Sequence, residues 1–138
     1  MRNTRVFTNQ ALSPGLEVTL DDMASKHLGT VLRLTPGDPV TLFNGQGGEF
    51  AAAIMGSDKK KVTVLIGDYL EINRESPLLI HLGIGISRGD RMDWVIQKAT
   101  EVGVTEITPL ITQRTEIKLI DNRIQNKLSH WQKICISA

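Results

Sequence analysis

Leu78-Leu-Ile-His-Leu-Gly-Ile-Gly-Ile-Ser-Arg-Gly-Asp-Arg-Met-Asp-Trp-Val-Ile-Gln-Lys-Ala-Thr-Glu-Val-Gly-Val-Thr-Glu-Ile-Thr-Pro-Leu110 is the stretch that decides the fold. From Leu78 to Ile86 the even positions (Leu78, Ile80, Leu82, Ile84, Ile86) are all large and apolar, and the odd positions include Gly83 and Gly85. A segment apolar on one side and small on the other reads as a strand inside a parallel sheet. Its glycine side must admit something close, a packed helix or a ligand. Ser87-Arg-Gly-Asp90 has the spacing of a capping box with Asp for the usual Glu. The helix it predicts runs to Val102, with Met92, Val95, Ile96, Ala99 and Val102 on one face. Gly103 stands where a helix end takes a left-handed residue. Thr105 to Leu110 then reads as a second strand.

Downstream, Asp121 can cap a last helix whose apolar stripe is Ile124, Leu128, Trp131, Cys135 and Ala138. The order strand, helix, strand, helix implies parallel strands joined by right-handed crossovers. Two strands leave both sheet edges open, and so short a unit buries little surface. The last helix reaches Ala138 without a stop signal. The chain is therefore expected to be cut there or to need a partner.

Upstream the character changes at Asn73-Arg-Glu-Ser-Pro77, a polar stretch ending in proline, which marks a domain boundary. Residues 1–72 form one expected domain and 73–138 the other. The first reads as short strands: Arg5–Phe7, Leu16–Leu20, Pro39–Phe43, Glu49–Met55 and Lys61–Gly67. Ser13-Pro-Gly15, Pro36-Gly-Asp38, Asn44-Gly-Gln-Gly-Gly48 and Gly56-Ser-Asp58 supply the turns. One helix interrupts them over 22–32, capped by Asp21 or Asp22, with Met23, His27, Leu28 and Val31 at helical spacing. Short strands with one helix predict a small β-barrel, so the whole chain is α+β.

Of the 138 residues, 41% are hydrophobic and 22% charged, a folded rather than disordered balance. No apolar run approaches the roughly 18–20 residues that cross a bilayer. The N-terminus lacks the apolar segment of a signal peptide, and a cytoplasmic location is expected. Cys135 stands alone, which excludes an internal disulfide. His27, His81 and His130 are scattered without ligand spacing, so no metal is expected. The net charge of +1 does not advertise a nucleic-acid binder, and any basic patch must be local.

Ligands of an open parallel sheet bind beyond the carboxyl ends of its strands. Those ends carry Ser87 and Arg88, and Thr112, Gln113 and Arg114. Two guanidinium groups there could hold a phosphate or carboxylate, or could be solvated surface residues. Trp94, Lys98 and Glu101 lie at i, i+4 and i+7 on the intervening helix, where Lys98 and Glu101 make a catalytic pair or an ordinary surface ion pair. Cys135, in an apolar stripe, reads as a buried thiol. Asn44–Gly48 lacks the ending of a phosphate loop and reads as a hairpin turn. Lys59-Lys-Lys61 reads as a solvated turn that could touch an RNA backbone.

Several runs together resemble a known family. Arg2 and Arg5-Val-Phe7, His27-Leu-Gly-Thr-Val-Leu-Arg33, Pro36-Gly-Asp38 and Phe43-Asn-Gly45 resemble the N-terminal domain of the bacterial small-subunit rRNA (uracil-N3)-methyltransferases of the RsmE family. Gly89 through Val104, Ile107-Thr-Pro-Leu110 and His130-Trp-Gln-Lys-Ile134 through Ala138 resemble the start of its catalytic domain. The resemblance implies a PUA-like barrel followed by the first βαβα units of a SPOUT domain, whose C-terminal trefoil knot binds S-adenosyl-L-methionine. It implies a homodimer that methylates N3 of one uridine in 16S rRNA. It puts Arg2, Arg5, His27, Arg33 and Asn44 on the RNA-binding side, and Arg88, Lys98, Glu101 and Arg114 on the substrate side of the catalytic cleft. Arg88 stands where the family has lysine, Val102 for leucine and Thr115 for serine. The sequence stops before the glutamine- and glycine-rich segments of the knot, so the cofactor site is expected beyond Ala138. Two other readings are a stand-alone RNA-binding module and a small-molecule α/β enzyme with an accessory barrel. The lack of a dinucleotide fingerprint speaks against the latter.

Overall fold

Phe50, Ala52 and Ile54, and Val62, Val64 and Ile66 alternate with less buried residues along two successive segments, and they share one core with Val40 and Leu42, which flank the buried Thr41. Such a period of two forces strands whose one face is shared. The computed structural model, which describes residues 4–58, 61–115 and 121–138, has these strands in the first of two compact units, Met1–Arg74 and Glu75–Ala138.

The first unit contains β1 (Thr4–Phe7), β2 (Glu17–Thr19), α1 (Asp22–Ser25), a π-helical turn (Lys26–Val31), β3 (Pro39–Phe43), β4 (Glu49–Asp58) and β5 (Lys61–Leu70). The sheet order is β1-β3-β4-β5-β2, with β1 parallel to β3 and the other pairs antiparallel. Gly45, Gly47 and Gly48 all have positive φ, which lets the chain reverse between β3 and β4. β4 against β5 shifts register twice, between Phe50 and Ala52 and between Ile54 and Gly56; such irregularities bend and twist a strand. The expected barrel is found as a five-stranded sheet ending on β1 and β2, and among the described residues no ladder joins those two short strands.

The helical segment differs from its expectation. Asp21 is the cap, accepting the Ala24 N–H at 2.8 Å. After four residues the α-helix becomes a π turn, in which the Leu32 N–H donates to the His27 carbonyl at 2.9 Å. The wider turn swings Val31 off the inner face, and Met23 and Val31 are 59% and 63% exposed. Ala24, Ser25 and Leu28 are buried instead. Ser25 Oγ donates to the Leu20 carbonyl at 3.1 Å and accepts the Val62 N–H at 3.0 Å, so it fastens this segment to β5.

The second unit contains β6 (His81–Gly85), α2 (Asp90–Glu101), β7 (Glu106–Leu110) and α3 (Asp121–Ser137). β6 and β7 are parallel, with His81 opposite Glu106 and Gly85 opposite Leu110. Ile84, Ile86 and Ile107 pack toward Met92, Ile96 and Trp131 of the helices. The glycine face is met by side chains of the following strand and loop: a Cβ at Gly83 would lie 3.4 Å from Leu110 Cδ1, and one at Gly85 3.6 Å from Thr112 Cγ2.

β6 is shorter than expected because Leu78 to Ile80 lie outside its ladder. Ser87 is not the cap of α2. Gly89 is, with φ 57° and no side-chain bond, so no capping box forms. Val102 lies past the helix end and is 75% exposed. Gly103 has φ 89°, and the Val104 N–H returns to the Ala99 carbonyl at 3.0 Å, as a left-handed helix end requires. The side chain of Asp121, the expected cap of α3, lies outside the described residues, and of its stripe only Trp131 is buried. No helix among the described residues is long and apolar enough to cross a membrane.

Candidate functional site: strand ends and basic residues

Two loops leave the carboxyl end of the β6–β7 pair side by side, because Gly85 and Leu110 are register partners and the Ile86 N–H bonds the Leu110 carbonyl at 3.0 Å. The first carries Ser87 and Arg88. The second is a tight turn in which the Thr112 N–H donates to Thr115 Oγ1 at 2.8 Å and the Thr115 N–H to the Thr112 carbonyl at 2.9 Å. That turn holds Gln113 and Arg114 at its tip. Both arginines are exposed, so the structure brings Arg88 and Arg114 to one end of the sheet.

Lys98 and Glu101 are elsewhere. α2 starts beside the carboxyl ends and runs back along the sheet, and Lys98 is eight residues in, about 12 Å along the axis at 1.5 Å per residue. After α2 the chain returns to the amino end, where the Thr105 N–H bonds the Ile80 carbonyl at 2.9 Å. Lys98 Nζ donates to both Glu101 oxygens, at 2.9 and 2.7 Å, on the exposed face that also carries Trp94. Within one chain, the length of the helix separates this pair from the two arginines.

In the first unit, Arg5 and Asn44 share the β1–β3 edge, where Phe7 pairs with Phe43. The Arg5 guanidinium lies 4.6 Å from the Phe43 ring centroid, and its Nη2 is 2.6 Å from Glu49 Oε1. It remains half-exposed, with donors to spare. Asn44 is a turn builder: its Oδ1 accepts the Gln46 N–H at 3.1 Å and its Nδ2 donates to the Gln10 carbonyl at 3.4 Å. His27 and Arg33 are exposed on the helical segment that packs against β5. Arg2, with Lys59 and Lys60, lies outside the described residues. Lys61 Nζ pairs with Asp22 Oδ1 at 2.8 Å, and its hydrogen bond and charge hold the Asp22 carboxyl below its ordinary value.

Two features have no counterpart in the sequence analysis. Asp93 of α2 accepts the Trp131 Nε1–H at 3.1 Å through Oδ1, and its Oδ2 is 2.6 Å from His130 Nε2, so one carboxylate fastens α2 to α3. Nothing in local spacing links residues this far apart, although a tryptophan on a buried stripe usually finds an acceptor for its N–H. Beside this clamp is an open groove of about 390 Å³, lined among others by Ile96, Ile107, Pro109, Leu128, Trp131 and Cys135.

A family model described as an RNA methyltransferase PUA domain matches residues 20–67, and one described as an RNA methyltransferase domain matches residues 74–138. The ribosomal RNA small subunit methyltransferase E of Buchnera aphidicola from Acyrthosiphon pisum is 34% identical over 134 residues, 97% of this chain and 53% of that protein. The protein of the same name from Bacillus subtilis is 29% identical over 126 residues, 91% of this chain and 48% of the relative. A solved ribosomal RNA small subunit methyltransferase E from Neisseria gonorrhoeae, bound to S-adenosyl methionine, is 38% identical with a TM-score of 0.93, over 99% of this chain and 56% of that one. A Legionella pneumophila structure in complex with bound SAM is 44% identical with a TM-score of 0.95, over 99% of this chain and 57% of that one. The chain spans about half the length of the curated relatives it matches.

Proposed function

We propose, from the premise that this chain belongs to the ribosomal RNA small subunit methyltransferase E family, that it carries the RNA-recognition domain and the opening of the catalytic domain of an rRNA methyltransferase. The reaction we assign is S-adenosyl-L-methionine-dependent methylation of N3 of a uridine in 16S rRNA, by a homodimer with a SPOUT-type catalytic domain. The observation that carries the site is the pair of arginine-bearing loops leaving register-paired strand ends. Two planar guanidinium groups there suit a phosphate diester of the substrate.

The described residues do not by themselves fit the cofactor. The loop after β7, Ile111 to Thr115, has no glycine to let main-chain N–H groups approach a ligand, and that after β6 has one, Gly89. The groove of about 390 Å³ is apolar on most of its walls and open to solvent, ill suited to a charged sulfonium amino acid. Its site is assigned to the part of the family's length that these 138 residues do not span.

Alkylation at N3 removes the N3 proton of uracil, so the site needs a carboxylate or an amine near that edge of the base. Glu101, held by Lys98, is such a group. Because α2 carries the pair away from Arg88 and Arg114, we assign one composite site to the arginines of one copy and the Lys98–Glu101 pair of a second. On the RNA-binding side, Arg2, Arg5, His27, Arg33 and Asn44 are assigned to substrate contact.

The test uses the protein of the complete reading frame that contains these residues. Incubated with S-adenosyl-L-methionine and small-subunit rRNA, it is expected to add one methyl group that mass spectrometry and a reverse-transcription stop locate at a uridine N3. Transfer to no RNA, or to a base carbon or a ribose, overturns the reading.

A further inference from the structure

We propose that the face of α3 carrying Arg123, Lys127 and Lys133 around His130 is a docking surface for the phosphate backbone of RNA. The inference rests on the reading that the substrate is RNA, and names a surface that reading does not use. From Arg123 to Ala138 the sequence has no aspartate or glutamate, so this helix is locally basic although the chain's net charge is +1. Spacings of four, three and three residues place Arg123, Lys127, His130 and Lys133 within roughly a third of the helix circumference.

Arg123, His130 and Lys133 are exposed and Lys127 is half-buried, its Nζ 5.7 Å from the Trp131 ring centroid. Among the described residues no carboxylate pairs with Arg123, Lys127 or Lys133. The acid that does reach this face, Asp93, has its two oxygens engaged by the Trp131 indole N–H and by His130. It therefore anchors the face without neutralising the three long cations.

The ten residues from Arg123 to Lys133 rise about 15 Å, which matches about four phosphates of a strand at about 3.4 Å of axial rise each. A rigid row of cations over that length fits a polyanion. A lipid surface is disfavoured, because a membrane-lying helix puts its apolar stripe into the bilayer. The centre of this stripe, Trp131, is 6% exposed and packed in the unit's own core.

The test replaces Arg123, Lys127 and Lys133 together by glutamine, a good helix former, in the protein of the complete reading frame. Binding to small-subunit rRNA fragments is titrated at several salt concentrations. Three lost phosphate contacts should reduce the slope of log affinity against log salt by about 2 to 3. The KM for RNA should rise at least about tenfold with cofactor affinity unchanged. An unchanged slope and KM in an active enzyme overturn this inference and leave the methyltransferase reading standing. A wild type that transfers no methyl group, yet binds RNA with a slope that the triple variant lowers, overturns that reading and leaves this one. Should the triple variant fail to melt cooperatively, Lys133→Gln alone decides, with a slope change of about 1 expected and none overturning the inference.

Discussion

Arg33 has φ 54°, the left-handed region, and closes the π turn so that the Leu34 N–H reaches the Leu28 carbonyl at 3.0 Å. A side chain with a Cβ enters that region at a cost of roughly 1 kcal/mol, which glycine avoids. Arg33→Gly is therefore expected to raise stability by up to about 1 kcal/mol in urea denaturation and, on the RNA-contact role proposed for Arg33, to weaken RNA binding, the two quantities moving in opposite directions. Equal or lower stability would show that the turn carries no such strain. At the other end of the segment, Lys61 holds the Asp22 carboxyl below its ordinary 3.8. A lowered folded-state value stabilises above the unfolded one, and that contribution is lost as pH falls through the folded-state titration. NMR titration of Lys61→Met should move the Asp22 midpoint up toward 3.8; an unmoved midpoint would mean the pair is absent in solution. Asp21 as a cap was legible because a cap is a local pattern. The exposure of Met23 and Val31 was not, since a π turn changes which residues share a face without changing their types.

Asp93 bridges two elements, and among the described residues no other acceptor bonds the indole N–H of Trp131, buried between them. Asp93→Ala should cost about 1–3 kcal/mol, the penalty of a buried donor left unpaired, and should loosen α3 selectively. Hydrogen exchange over 121–138 reads this: protection should fall there first, with Asp93→Asn retaining more of it through its remaining carbonyl oxygen. Uniform protection across the unit in Asp93→Ala would show that the clamp contributes nothing. Elements of this kind differ in how far sequence reveals them. Met92, Ile96 and Ala99 announced α2, and Gly103 its end, because period and left-handed glycine are local signals. The true length of β6 depends on where β7 begins, and Ile80 spends its carbonyl on the N–H groups of Thr105 and Glu106 at 2.9 and 3.2 Å, ahead of the ladder. The capping-box spacing at Ser87 misled, because Gly89 with φ 57° turns the chain before the helix starts.

Across the molecule, the candidate site residues were recognisable by type and by resemblance, but not their distribution, which the direction of α2 decides. If the active site combines two copies, co-expressing Arg88→Ala with Lys98→Ala chains gives mixed dimers in which one site is intact and the other doubly altered. Methylation should then recover to about half per mixed dimer, while each variant alone stays at least roughly 10²-fold down because misplaced groups are penalised steeply. No recovery would overturn a site shared between two copies. The sheet order of the first unit also sets a timetable. β3, β4 and β5 follow one another in sequence and pair with their immediate successors, whereas Glu17 of β2 has its partner at Leu65 of β5, and Thr4 of β1 its partner at Val40 of β3. Contacts between near neighbours in the chain close faster than distant ones. The central meander is thus expected to pair first and both outer strands to join last. During synthesis those same strands emerge before the meander, so the nascent protein holds β2 unpaired until β5, over forty residues further along the chain, has followed it out of the ribosome; in that interval its free edge is open to capture by other chains.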